Sequence, residues 1–298
     1  MSRIFVCGRK AAYAGAPVSC GGTMTGGSGK VFFRELDEAA HNGKYYERIR
    51  SRLLATENLT ETEKAILCIP KIAEAEAARA GSEKDRTGWD NLAKMMKKWL
   101  AGPANTDKTA AVPFMVDMEW VLQYADAAGV MNEMKGVLYN APALAALKNE
   151  LDAGGMLTGQ AASYNFIDVG SLERKAFSHQ YRALESSYGI SPDGLMASLG
   201  AFTFRGLSQG TVAPSGSGHA VTIGRSAVTV WDNFDFEGVQ SLGGWSCASL
   251  EYAFMTGTPL SNADFRAFRE RFGHGCDFHV VSDLLTVNDY DGRQYLLE

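Results

Sequence analysis

The most regular pattern of apolar positions lies in residues 87–100. Its large apolar side chains recur at spacings of three and four residues, which places them on one helical face: Trp89, Leu92, Met95, Met96 and Trp99. The lysines of this segment take the other face, and Gly102 followed by Pro103 should end the helix. A stripe of Met and Trp is more often core than ligand site, so we predict that this face is buried.

Further helices are predicted in the first half of the chain. Thr60 and Glu63 have the spacing of a capping box before an apolar, Ala-rich run. Pro70 should kink or split the helix that follows. Three more segments have the pattern of helices: residues 117–128, 141–151 and 172–188.

After about residue 195 the pattern changes to short runs rich in β-branched and aromatic residues. The predicted strands are residues 199–205, 220–223, 227–231, 238–245, 277–281, 284–287 and 294–297. A short helix, residues 261–272, interrupts them. Connections this short favour antiparallel pairing, because a parallel crossover needs a dozen or more residues. We therefore predict an α+β fold, with a helical N-terminal half followed by an antiparallel β-sheet or a small β-barrel.

The same patterns divide the chain into three segments. Residues 1–34 are a Gly-rich β segment, residues 35–160 a helical domain, and residues 161–298 a helix followed by an antiparallel β domain. Residues 21–30 have the composition of a phosphate-binding loop. Met24 stands where a Walker A loop needs glycine, so we predict a turn-rich β element there instead.

Charge and composition exclude several classes of protein. The chain has 29 basic and 34 acidic residues, a net charge of -5, so it has no overall attraction for nucleic acid. No stretch reaches the ~18 apolar residues of a transmembrane segment. The start of the chain lacks the apolar region of about 7–15 residues of a secretory signal peptide. If the protein acts outside its cell, we expect export by a Sec-independent route.

The cysteines give no sign of a metal site or of a disulfide framework. There are five, none in a CxxC motif: Cys7, Cys20, Cys68, Cys247 and Cys276. We expect free thiols in a reducing compartment. Cys247 and Cys276 are also candidate nucleophiles, with a structural thiol as the alternative for each.

The densest group of reactive side chains follows a strong β run. Asp232, Asp235 and Glu237 place three carboxylates within six residues. A bulge or turn would bring the two aspartates together, and the group could then hold Mg²⁺ against a phosphate or diphosphate. The alternative is a solvated acidic turn. His274 and His279 are the nearest candidates for a general acid or base, although a lone histidine in an apolar strand is often structural.

Residues 199–287 resemble an uncharacterised bacterial family often encoded beside type VI secretion genes. The resemblance rests on the ordered set of residues 228–236, 240–245, 265–275 and 277–283. It implies no chemistry.

The same stretch is similar, more distantly, to the C-terminal catalytic domain of colicin M. That toxin class cleaves lipid II, the lipid-linked peptidoglycan precursor, with Mg²⁺. Its motif is Asp-x-Tyr-Asp-Phe followed by His-Arg. Asp232, Asp235 and Phe236 match, Phe234 replaces the tyrosine, and residues 241–242 are Ser-Leu in place of His-Arg. The resemblance implies a shared barrel and a metal-binding carboxylate pair, with the general acid or base supplied from elsewhere.

Residues 15–23 and 28–32 resemble part of a PAAR repeat, the fold of the pointed tip of the type VI spike. Together the resemblances imply an antibacterial type VI effector, made in the bacterial cytoplasm and delivered into a target cell. Such an effector would hydrolyse a lipid-linked envelope precursor. Its expected partners are spike or chaperone proteins and a cognate immunity protein.

Two alternatives remain open from the sequence. One is a non-enzymatic spike adaptor or cargo protein, and the other is a cytosolic enzyme or an immunity protein unrelated to delivery.

Overall fold

A computed structural model describes most of the chain. The described residues are 4–6, 9–11, 33–182, 192–253 and 255–297. They form two compact units, residues 1–40 and residues 41–298. In the first unit, β1 (Ile4–Val6) and β2 (Arg9–Ala11) pair as an antiparallel hairpin. The PAAR-like motifs and the phosphate-loop-like run lie outside the described residues.

Eight α-helices occur in the part of the chain that the structure describes. They are α1 (Phe33–Thr56), α2 (Glu61–Arg79), α3 (Glu83–Ala101), α4 (Met118–Val121), α5 (Ala125–Val137), α6 (Ala141–Ala153), α7 (Gly194–Ser198) and α8 (Asn262–Phe272). The predicted capping box of α2 is confirmed, because Thr60 Oγ1 accepts from the Glu63 backbone N–H at 3.2 Å and Glu63 Oε2 accepts from the Thr60 N–H at 2.8 Å. The helix continues through Pro70, so the expected split is wrong.

The predicted apolar face of α3 is confirmed as core. Met95 and Trp99 have no exposed surface, and Trp89, Leu92 and Met96 are also buried. The helix ends at Ala101, before the Gly-Pro pair that was expected to stop it.

The remaining strands form two sheets. They are β3 (Phe114–Val116), β4 (Ala162–Asn165), β5 (Ser178–Arg182), β6 (Phe202–Ser215), β7 (Gly218–Phe234), β8 (Ser241–Ser246), β9 (Glu251–Tyr252), β10 (Thr258–Ser261), β11 (Phe278–Ser282), β12 (Leu285–Val287) and β13 (Gln294–Leu297). The larger sheet has eight strands in the order β3-β11-β7-β6-β4, with β12 and β13 also on β7 and β5 also on β6. The smaller sheet has the order β10-β8-β9.

A long hairpin, β6 and β7, organises the larger sheet. Phe204 lies opposite Val230, and Arg205 lies opposite Thr229. Because side chains alternate along a strand, Phe204 and Val230 share one face with Asp232, and Arg205 and Thr229 occupy the other. The first face packs against the helices and is the inner face. The second is called the outer face below.

The α+β prediction is confirmed, without closure of the sheet into a barrel. The pairing is mostly antiparallel, but β3 and β11 are parallel. The helix predicted over residues 172–188 is wrong where the structure describes it. Residues 171–173 form a 3₁₀ turn and β5 pairs with β6, because edge pairing outweighs the local helical pattern. The segment over residues 117–128 is two helices, α4 and the start of α5.

The helical segment and the β segment share one hydrophobic core that runs from Tyr46 to Leu297. Trp99 lies near its centre, in ring contact with Phe236, Phe265 and Phe268. This cluster joins α3 to α8 and to the segment after β7, and so ties the end of β7 to the helical layer.

The expectation of free thiols is wrong for two cysteines. Cys68 of α2 and Cys247, just after β8, form a disulfide with Cα atoms 5.6 Å apart. Cys276 is free and buried. Cys7 and Cys20 lie outside the described residues. The disulfide joins positions 179 residues apart, a distance over which sequence spacing carries no information.

Candidate functional site

A pocket of about 260 Å³ lies where the inner face of β7 ends against α3 and α7. Its walls are largely apolar. They include Trp89, Leu92, Met96, Leu242, Trp245 and Phe265. Asp232 and Asp235 line the same pocket. The sequence placed the Trp and Met stripe in the core, and part of that stripe also forms a wall of this pocket.

A close backbone contact positions one wall. A Cβ built on Gly88 of α3 would lie 2.3 Å from the carbonyl carbon of Gly194 at the start of α7. The Gly194 N–H also donates to Asp85 Oδ1 at 3.1 Å. Only glycine permits this approach, and it fixes the position of Trp89, the next residue of α3.

Among the polar groups of the pocket, Asp232 has the carboxyl whose pKa is shifted most by its surroundings. Burial raises the pKa of its carboxyl well above the usual value. The Asn233 N–H opposes this by hydrogen bonding to the carboxylate, and the neighbouring charge of Asp235 raises the pKa further. Burial therefore favours the protonated form of Asp232 more than that of an exposed carboxyl, and a protonated carboxyl can donate a proton or a hydrogen bond to a bound molecule.

Asp235 and Glu237 share a lysine. Lys108 Nζ lies 2.9 Å from Asp235 Oδ2 and 3.3 Å from Glu237 Oε1. Burial alone would lower the pKa of Lys108, but its two carboxylate partners outweigh burial and the pKa is raised. Lys108 lies in the loop after α3. Backbone hydrogen bonds hold this loop against the segment before β11, because the Asn105 N–H donates to the Gly275 carbonyl and the Asp277 N–H donates to the Asn105 carbonyl.

The predicted magnesium ligands do not form a cation cage. Within the described residues, no group of three or more His, Cys, Asp or Glu side chains could hold a metal ion. Lys108 forms ion pairs with both Asp235 and Glu237, and burial raises the pKa of Asp232, so a metal ion here would compete with an ammonium group already in place. Magnesium at this cluster stays a prediction, and the function argued below uses no metal.

His279 of β11 lies opposite the end of β7 that carries the acidic cluster, but its side chain is on the outer face of the sheet. It pairs across the strands with Asn233, and its Nδ1 lies 2.8 Å from Asn233 Oδ1. Its ring is 4.7 Å from that of Trp231. Burial, Lys108 and Arg205 lower its pKa, so the neutral imidazole is favoured.

His274 does not line the pocket. It follows α8, and its Nε2 accepts from Arg52 of α1 at 3.0 Å. Burial and the charge of Arg52 lower its pKa. The structure therefore brings Asp232 and Asp235 together at one pocket and places neither predicted histidine among its lining residues.

The two candidate cysteine nucleophiles have structural surroundings. Cys247 is in the disulfide. Burial raises the pKa of the Cys276 thiol, and the charge of Asp277 adds to it, which disfavours the reactive thiolate.

Lys108 is the functional residue that sequence reasoning missed. It lies 129 positions from Glu237, in a loop without a motif. A lysine near an acidic cluster in space leaves no local signal when the two are so far apart in sequence.

The matched family covers most of the residues that line this pocket. Residues 82–258 match a family of unknown function, DUF6402. The chain belongs to the DUF6402 family. The DUF6402 match includes α3, α7, Asp232 and Asp235, and it ends before His274 and His279. Its description names no activity.

No curated protein and no solved structure matches this DUF6402 chain. In the described residues, none of the helices has the length and apolar character needed to cross a membrane.

Proposed function

We propose that this DUF6402 protein is an antibacterial effector that hydrolyses a phosphate ester of an apolar alcohol, with Asp232 as the general acid. The observation that carries the proposal is a carboxyl group of raised pKa that lines a largely apolar pocket. Perturbed carboxyl groups in clefts are characteristic of catalytic acids.

The reaction needs one proton donor at the leaving group. Water attacks phosphorus, and the bond between phosphorus and the alcohol oxygen breaks. Asp232 gives its proton to that oxygen, and the alcohol leaves in its neutral form. Asp235, which lines the same pocket, takes the proton of the attacking water and passes it to the Asp232 carboxylate, which restores both groups.

The proposed substrate class follows from the apolar walls of the pocket and from the positive charge that is paired with Asp235. Trp89, Leu92 and Phe265 suit an apolar chain. Lys108 is not among the lining residues, but its ion pair with Asp235 places a positive charge next to that carboxylate, and this charge would attract a phosphate group. A lipid-linked peptidoglycan precursor joins an apolar chain to a diphosphate, so it has both features.

The disulfide supports an oxidising site of action. Disulfides persist in the periplasm and are rare in reducing cytoplasm. We propose that the protein is made in a bacterial cytoplasm, oxidised on delivery by a type VI system, and neutralised in its producer by an immunity protein.

Growth of bacteria that express the protein tests this proposal. One arm keeps the protein in the cytoplasm, and the other adds a periplasmic signal peptide. Each arm carries the wild type, Asp232→Asn and the control Asp289→Asn, which changes an exposed aspartate outside the pocket. We expect lysis only in the periplasmic arm, lost in Asp232→Asn and kept in Asp289→Asn. Equal lysis by Asp232→Asn would refute a catalytic Asp232.

The pairing of Asp235 and Glu237 with Lys108 favours a second candidate. Carboxylates compensated in this way also suit a pocket that binds without turnover, as in a spike adaptor or cargo protein. Soluble protein without toxicity in either arm, together with co-purification with a spike protein, would favour this candidate.

A further inference from the structure

The outer face of the larger sheet carries Arg205 between two other polar side chains. His179 of β5 lies opposite Arg205 of β6, and Arg205 lies opposite Thr229 of β7. Directly opposed side chains in antiparallel strands have Cβ atoms about 4.5–5.5 Å apart. Arg205 therefore lies between His179 and Thr229.

Arg205 is held in place by an aromatic ring. Its guanidinium carbon lies 4.0 Å from the centre of the Trp231 ring. Its Nε is buried without a hydrogen-bond partner. Within the described residues no carboxylate forms an ion pair with it, although the side chain is half-buried.

Arg174 reaches the other side of Thr229. Its guanidinium lies 3.5 Å from the carbonyl oxygen of Ser282, and the Thr229 hydroxyl donates to the same oxygen at 3.0 Å. The Nε of Arg174 is also buried without a partner.

The acidic groups nearest to Arg174 are already engaged. Asp168 forms an ion pair with Arg225 at 3.2 Å. Asp283 Oδ1 accepts from the Met118 backbone N–H at 2.7 Å. Neither carboxylate forms an ion pair with Arg174.

We propose that Arg205 and Arg174 bind a phosphate group on the outer face of the sheet, beside Thr229. Half-buried charges without counter-ions are costly, and a bound oxyanion would compensate both. The planar guanidinium matches phosphate oxygens, and the Trp231 ring fixes the plane of Arg205 in advance. Burial lowers the pKa values of both guanidinium groups, and for Arg174 the charges of Asp168 and Asp283 oppose this in part.

This site is separate from the pocket. Trp231 and Asp232 are neighbours in β7, and their side chains point to opposite faces. A result that refutes the hydrolase proposal therefore leaves the phosphate site untouched, and a result that refutes the phosphate site leaves the hydrolase proposal untouched.

Calorimetric titration of the full chain with inorganic phosphate tests the site. Sodium chloride keeps the ionic strength constant, and acetate serves as a second probe. The variants are Arg205→Gln, Arg174→Gln and Asp232→Asn. Arg86→Gln is the matched control, an exposed arginine of α3 that already has a carboxylate partner, Glu83.

We expect saturable phosphate binding that Arg205→Gln and Arg174→Gln each weaken by about tenfold or more. Arg86→Gln and Asp232→Asn should retain it. Equal binding by the wild type and both arginine variants, or no saturable binding, would overturn the site. Acetate binding as tight as phosphate binding would overturn the choice of phosphate. Should Arg205→Gln fail to fold, Arg174→Gln alone decides between these outcomes.

Discussion

Lys108 Nζ lies 2.9 Å from Asp235 Oδ2, so an ammonium group occupies the position that the sequence suggested for a metal ion. The same nitrogen reaches Glu237. One of these two carboxylate charges is thus compensated from within the chain, by a residue of the loop after α3.

We predict that Mg²⁺ leaves the melting temperature of the wild type unchanged and raises that of Lys108→Gln. Removal of the ammonium leaves two neighbouring carboxylates that a hard cation can bridge. The ion pair itself contributes about 1 kcal/mol or less. Thermal unfolding with Mg²⁺ or with EDTA measures both effects. Equal stabilisation of the wild type by Mg²⁺ would instead support the magnesium site predicted from sequence.

Asp232 should make stability fall as pH rises. Its pKa is higher in the folded than in the unfolded chain, so between these two pKa values the folded state binds more protons. One such group contributes a slope of at most about 1.4 kcal/mol per pH unit, which begins near pH 4 and ends above the folded pKa. Urea unfolding of the wild type and Asp232→Asn across this range should show a shallower decline in the variant. Parallel curves would contradict a raised pKa.

The Cys68–Cys247 disulfide should contribute about 2–4 kcal/mol to the free energy of unfolding. Its removal frees a long loop in the unfolded chain. We expect dithiothreitol to lower the melting temperature of the wild type and to leave that of Cys68→Ser/Cys247→Ser unchanged. If reductant had no effect on the wild type, the bond would be absent in solution.

Gly88→Ala should destabilise the protein by about 1–3 kcal/mol, because its Cβ would collide with the backbone of Gly194. The matched control is Gly129→Ala in α5, where a Cβ meets nothing within 4 Å. That change should stabilise by about 0.4–1 kcal/mol. Denaturant titration of the two variants compares them directly, and a neutral Gly88→Ala would mean that α3 and α7 are farther apart.

A buried ion pair joins α8 to the start of β11. Arg269 contacts Asp277, and Asp277 Oδ1 also accepts from Trp99 Nε1 at 3.0 Å. Arg269→Met should cost about 3–5 kcal/mol because it leaves a buried carboxylate without its counter-ion. In Arg269→Met/Asp277→Asn, which keeps an acceptor for Trp99, we expect part of this loss to be recovered. Additive losses in equilibrium unfolding would show that the two side chains are not coupled.

Part of the fold could be predicted because its causes are local. The apolar face of α3 follows from side chains three and four positions apart. The capping box at Thr60 and the helix start at Ser261 depend on groups three residues apart. The end of β7 was identified as an acidic cluster for the same reason.

Other features have no local cause. Residues 178–182 suggested a helix, yet they form a strand because β6 offers them an edge. Lys108 reaches Asp235, and Cys68 reaches Cys247, across more than a hundred residues. No spacing rule connects such positions.

The amino-acid sequence by itself determines the α+β class, the buried stripe of α3 and the acidic end of β7. These features depend on neighbours within about one helical turn or one strand. The folded chain alone decides that Asp232 faces an apolar pocket while His279 lies on the opposite face, that Lys108 pairs with Asp235 and Glu237, and that Arg205 has no counter-ion among the described residues. Burial and charge pairing arise from contacts between distant segments, and such contacts exist only once the sheet and the helices have packed.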